Sequence, residues 1–405
     1  MARAGVYRCS VEDHLPVREN SDRPLPLTIL IAPDSFKGSL SAGEAASAIE
    51  QGVRQLVPDA LTIQHPVSDG GEGLVSVLTP ALGGRVVTTE VQGPLPDQRV
   101  AARWGISADR STAIIEMAEA AGLLLVPADR RDPKVTTTFG VGQLIRAALD
   151  AQVASIILGI GGSATNDGGA GMAEALGFRF LDESGKLVRR GGAALANLAQ
   201  IDLQGRDARL DRVRIFVACD VQNTLCGKEG ASAVYAPQKG ASAADVAVLD
   251  RALERLGNTI QTSMGIDVFS VPGGGAAGGL GAGLVAFCRA KLQRGIELVL
   301  QVTKFEERLQ SADLIITGEG KIDSQVKFGK ALSGVIEHAQ RRGVPVIAIV
   351  GDVEGRRENF VGKEFLADLE SLVDSHTSSA NAMSHARELI TSKTKVLIQR
   401  YLNSI

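Results

Sequence analysis

The chain has 405 residues, of which 44% are apolar and 22% charged, and it carries a net charge of −3. No basic run marks a nucleic-acid surface, and no stretch of 18 or so apolar residues marks a membrane span. The charged N-terminal stretch lacks the apolar core of a secretion signal, so residues 1–27 are expected to be a poorly ordered extension and the protein to be cytoplasmic.

The first predicted strand is Leu27–Ala32, followed by a helix over Ala42–Leu56. Further strands are expected at Ser155–Leu158, Ile215–Ala218, Leu314–Thr317 and Val346–Val350. Each is a continuous rather than alternating apolar run, the pattern of strands covered on both faces. Strands separated by helical stretches predict an α/β protein with parallel sheets. Glycine is abundant, at 46 residues, and much of it falls where these strands end. Ligands of open parallel sheets bind at the carboxyl ends of the strands. The tract Gly273–Gly283 leads into the apolar Leu284–Cys288 and is read as a loop followed by a helix.

The turn after the first strand is Asp34-Ser35-Phe36-Lys37-Gly38-Ser39. Lys37 can offset phosphate charge, and Ser35, Ser39 and nearby backbone N–H groups can bind anionic oxygens. Ser41 with Glu44 reads separately as a capping box. The next motif, Ser68-Asp69-Gly70-Gly71-Glu72-Gly73, lets backbone approach an anion while a carboxylate holds Mg²⁺. Gly159–Gly169 offers N–H and hydroxyl donors from Gly161, Gly162, Ser163, Thr165 and Asn166, with the Asp167 carboxylate among them. It also imitates a dinucleotide fingerprint, with Asp182 placed for a ribose. Against that, Asn166–Gly169 interrupt the helix such a fold needs, and Asp182 opens what looks like a hairpin turn.

Asp220 follows a buried strand, a common place for a metal ligand or base. Pro237-Gln238-Lys239-Gly240 could present a phosphate-binding lysine. Gly318-Glu319-Gly320, followed by Asp323, could admit a nucleotide, with either carboxylate on ribose, metal or substrate. The P-loop, protein-kinase and nucleophile-elbow signatures are missing. The four cysteines, Cys9, Cys219, Cys226 and Cys288, and the five scattered histidines match no zinc pattern.

Taken in order, the segments 31–42, 66–73, 116–123, 137–142, 159–172, 218–223, 237–241, 275–284 and 316–323 resemble the bacterial glycerate kinase family whose members begin with APDSFKGS. The resemblance implies ATP-dependent phosphorylation of D-glycerate to 2-phosphoglycerate, with the 3-hydroxyl or another small hydroxy acid as alternatives, as is a non-catalytic sensor. It implies a Rossmann-like parallel-sheet domain built from both chain ends (28–66 and 290–400), with a second α/β domain (67–289) inserted between. Lys37, Lys239 and Mg²⁺ then supply positive charge, and Asp69, Asp220 and Asp323 are candidates for metal ligand or base. A homodimer is left open. Three departures from the family pattern are Thr224 and Leu332, each where proline is usual, and the less usual Tyr235-Ala236 before Pro237.

Overall fold

The computed structural model describes residues 26–322, 331–362 and 365–404. In chain order its strands are β1 (Thr28–Pro33), β2 (Leu61–Gln64), β3 (Arg85–Gln92), β4 (Arg99–Ile106), β5 (Thr112–Glu116), β6 (Ser155–Gly159), β7 (Arg179–Leu181), β8 (Gln200–Asp202), β9 (Arg214–Ala218), β10 (Lys291–Gln293), β11 (Leu314–Ile322), β12 (Val346–Val353) and β13 (Asp368–Ser371). The α-helices are α1 (Ala42–Leu56), α2 (Leu74–Ala81), α3 (Ala118–Ala121), α4 (Phe139–Asp150), α5 (Ala170–Ala175), α6 (Ala231–Tyr235), α7 (Ala243–Met264), α8 (Ala276–Cys288), α9 (Gly295–Val302), α10 (Phe305–Leu309), α11 (Ala331–Arg342), α12 (Ser379–Ser384) and α13 (Ala386–Leu402).

Five strands form an all-parallel sheet in the order β13-β12-β11-β1-β2. Six form a mixed sheet in the order β10-β9-β6-β5-β4-β3, antiparallel only at the β3–β4 and β4–β5 pairs. β7 and β8 make a separate antiparallel pair. The chain ends therefore share the first sheet. Residues Lys291–Gln293, which the sequence grouped with the C-terminal half, pair instead with β9 in the second.

The continuous apolar runs are explained by layering. In β1, Ile29 and Ile31 pack toward α1 and α13, while Leu30 and Ala32 face a core containing residues of α2, α9 and α11. That same core takes in Ile114, Ile157 and Ala218 from the second sheet. Ile115, Leu158 and Val217 point the other way, into a third core with α4, α7 and α8. Each central strand is thus covered on both faces, so neither face calls for polar residues. Leu332 is buried in the core between the sheets, and the Thr224 hydroxyl donates to the Cys226 carbonyl at 3.1 Å. Neither of these two departures removes a functional group.

Local signals act as expected at helix ends. Ser41 caps α1: its Oγ accepts from Glu44 N at 3.3 Å, and its own N–H donates to Glu44 Oε2 at 2.9 Å. α5 starts only at Ala170, after the Asn166–Gly169 turn, and Asp182 Oδ1 accepts from Ser184 and Lys186 N–H groups in a turn. Both placements count against a dinucleotide fold at this segment. The glycine tract enters α8 through a left-handed break at Ala277, Gly278 and Gly279. Here a Cβ on Gly278 would lie 2.0 Å from the Thr165 carbonyl oxygen. Gly278→Ala combines a left-handed backbone with overpacking, and urea denaturation should show a loss of about 2–4 kcal/mol. Ser41→Ala, which removes only a cap, should lose about 1 kcal/mol in the same assay.

Candidate active site

The carboxyl ends of β1, β5, β6 and β9 open onto one cleft of about 1310 Å³. Its wall includes Asp34, Ser35, Lys37 and Ser39 after β1, Asp69–Gly73 ahead of α2, Glu116, Gly161–Ser163, Asp220 and Lys239. Residues far apart in sequence meet here because two sheets present their strand ends to the same space.

Glycines let the loops touch. A Cβ on Gly70 would stand 2.3 Å from the Ala218 Cβ, and one on Gly295 would stand 1.9 Å from the Asp69 carbonyl oxygen. The Asp69 loop is thereby wedged between the end of β9 and the start of α9. Asp69 Oδ1 accepts from Gly71 N at 2.9 Å, and Asp220 Oδ1 accepts from Gly295 N at 2.8 Å. The latter places a carboxylate at the N-terminus of α9, where exposed N–H groups favour negative charge.

Asp69 repels both Asp34 and Asp220. Burial, then the neighbouring Asp69 carboxylate, pushes Asp34 up to about 7 from its ordinary 3.8. Asp220 is open to solvent along the cleft, but protein encloses its carboxyl on most sides. Burial raises it to about 7, the Gly295 N–H works against the rise, and Asp69 adds to it. Each group is ready to be stabilised by a cation or a proton.

Lys37 is exposed on its turn, whereas Lys239 is buried. Lys239 Nζ donates to Ser163 Oγ at 2.7 Å and to the Thr165 carbonyl at 2.6 Å, bracing the Gly161–Ser163 loop. Burial pulls its amine down to about 7. Ser39 Oγ donates to the Met383 carbonyl at 3.0 Å, which ties the Lys37 turn to α12.

Other predicted residues sit behind the cleft wall. Thr165, Asn166 and Asp167 are buried and do not line it. Asp167 accepts from Thr138 N at 2.8 Å and from the N–H groups of Gly169 and Gly171, so its carboxylate fastens α4 to α5. Asn166 Nδ2 donates to Ser232 Oγ at 3.0 Å. Gly318, Glu319 and Gly320 lie on β11 and also do not line the cleft. The Gly318 carbonyl accepts from Asp34 N at 2.8 Å, so this strand supports the first loop. Asp323 lies outside the described residues.

Two carboxylates in the cleft, Glu116 and Glu119, were not singled out by their sequence. Glu116 ends β5 and accepts from Val75 N at 2.7 Å and Gly73 N at 3.3 Å, holding the glycine loop at the start of α2. Burial raises its pKa. Its signal was available: like Asp34 and Asp220, it closes or follows a continuous apolar run.

The glycerate kinase family profile matches residues 29–402. A glycerate kinase of Halalkalibacterium halodurans is 53% identical over 326 residues, covering 80% of this chain and 86% of the relative. Glycerate 2-kinase of Escherichia coli K12 is 50% identical, with 81% and 86% covered. A crystal structure provisionally assigned as glycerate kinase 2 of Salmonella typhimurium LT2 superposes with a TM-score of 0.84 at 48% identity, covering 93% of this chain and 99% of that one. Fold and relatives together define an α/β phosphotransferase. The chain belongs to the glycerate kinase family.

The raised carboxyl of Asp34 has a consequence for stability. Unfolded, it ionises near 3.8; folded, at about 7. Between those values the folded state holds the extra proton, so this group's contribution falls as pH rises from about 4 to 7 and is level above that. Asp34→Asn removes the contribution. Thermal melts of the ligand-free protein should show the variant gaining on the wild type from pH 4.5 to pH 8, and a constant difference would refute the burial of this charge.

Proposed function

We propose that the protein transfers the terminal phosphoryl group of ATP to the 2-hydroxyl of D-glycerate, forming 2-phosphoglycerate with the help of Mg²⁺, in the cytoplasm. The observation that carries this reading is the convergence of Lys37, Asp34, Asp69, Asp220 and two glycine loops on one cleft. The name of the Escherichia coli relative supports the 2-hydroxyl as acceptor.

Phosphoryl transfer asks mainly for alignment, charge neutralisation and exclusion of water. Lys37, exposed on a short turn, is placed to follow the transferred group as a mobile cation. The N–H groups of Gly161–Ser163 are suited to anionic oxygens, and Lys239 keeps that loop in place. Asp34, buried and titrating near neutrality, is suited to accept the hydroxyl proton.

No group of three or more metal-ligating side chains occurs among the described residues. That is compatible with Mg²⁺, which usually takes one or two carboxylates and completes its shell with phosphate oxygens and water. Asp69 and Asp220, neighbours whose like charges repel, are the residues to hold it. The ion would neutralise phosphate charge.

Incubation with ATP, Mg²⁺ and D-glycerate, followed by proton-coupled ³¹P NMR, should give a phosphomonoester doublet. A triplet would mean the 3-hydroxyl is used. Absence of any product from D-glycerate would overturn the proposal. Lys37→Ala and Asp220→Asn should each lower kcat/KM by roughly 10²–10³-fold with unchanged circular dichroism. Near-wild-type turnover in both would remove these residues from the mechanism.

A further inference from the structure

The glycines of β11 looked suited to a nucleotide, but the structure uses them for strand packing. A Cβ on Gly318 would meet the Ile349 carbonyl oxygen at 2.3 Å, and Gly320 presents its own carbonyl 2.2 Å from where a Cβ on Gly351 would be. Neither lines the cleft, so the base of a nucleotide needs another place.

The cleft has an apolar stretch that a three-carbon polar acid leaves unused. Leu123, Leu124 and Leu125 form a short turn after α3, and Val100 and Ala101 of β4 line the same cavity. Leu124 is 87% exposed, the most of any large apolar side chain among the described residues. Exposed aliphatic side chains in a concave wall are the usual lining of a small-molecule site. The cleft volume of about 1310 Å³ also exceeds what one small acid fills.

Two hydrogen bonds fix this stretch to the rest of the site. Leu123 N donates to the Gly162 carbonyl at 2.8 Å, joining the leucine turn to the glycine loop suited to phosphates. The Leu125 carbonyl accepts from Gln98 Nε2 at 2.9 Å, joining its other end to the residues just before β4. Further along β4, Arg103 pairs with Glu119 at 2.8 Å at the border of the cleft. An apolar platform bonded directly to an anion-binding loop has the order of parts that a nucleotide has, base beside phosphates.

We propose that the Leu123–Leu125 turn, with Val100 and Ala101, is the subsite for the purine base of the phosphoryl donor. The inference rests on the ATP reading above. The flat ring would lie against the aliphatic side chains, and its phosphates would run toward Gly161–Ser163.

Titration calorimetry with two probes, ADP and base-free tripolyphosphate, each with Mg²⁺, separates base contacts from phosphate contacts. Leu124→Ser is neutral and lies at an exposed position, so folding is unaffected. It should weaken ADP about tenfold and leave tripolyphosphate within about twofold of wild type. Leu124→Phe, which keeps an apolar surface, should hold ADP within about twofold. Equal weakening of both probes by Leu124→Ser, or of neither, would overturn the subsite. So would an altered oligomeric state with unchanged ADP affinity, which would make the leucine turn a contact between copies of the chain. Failure of the wild type to bind ADP would instead overturn the ATP reading, and the subsite with it.

Discussion

The site depends on holding like charges close together. Asp34, Asp69 and Asp220 come from three strand ends, and the first and last are driven toward neutrality by burial and by Asp69. Left to themselves such groups would separate into solvent. They are held because the backbones carrying them touch: Gly70 against Ala218, Gly295 against the Asp69 carbonyl, and Gly159 against the Gly70 carbonyl, where a Cβ would lie 2.4 Å away. The repulsion is the standing cost of a cleft that gathers carboxylates.

The cleft wall is backed by buried polar groups, one of which, Lys239, also lines the cleft. Lys239 holds the loop at Ser163 and Thr165, Asp167 gathers the N–H groups that open α5, and the left-handed break in α8 fits beneath Thr165. A buried amine and a buried carboxylate both oppose folding unless their bonds are made, so they hold the loop in one arrangement rather than several. Thr165 and Asp167 are buried directly behind the cleft-facing residues and share one run with them, Gly161 to Gly169.

That interleaving limits what could be read from the chain alone. Asp34 and Asp220 stand out because each follows a buried strand, and Asp69 because it lies among glycines; all three line the cleft. Asp167 and Thr165 carry the same signal and lie on the other side of the wall. Composition cannot distinguish a loop's two faces, because the same glycines that admit a ligand also admit neighbouring backbone. The β11 glycines illustrate this too, since strand β12 packs against them where the sequence suggested a nucleotide. Glu116 opens the family-like segment 116–123 but was given no role there, because its contact with the glycine loop at the start of α2 is made only in the folded chain.

The sequence by itself determined the parallel α/β class, the capped first helix and the family, because burial on both faces, side-chain caps and long motifs leave local marks. Which residues share a cleft was decided only in three dimensions. The second sheet brings Glu116, Gly161 and Asp220 to the ends of the first, across separations of more than a hundred residues from Asp34 for two of them. Direction within a loop, and contact between loops, come from packing of whole layers, and no local pattern records them.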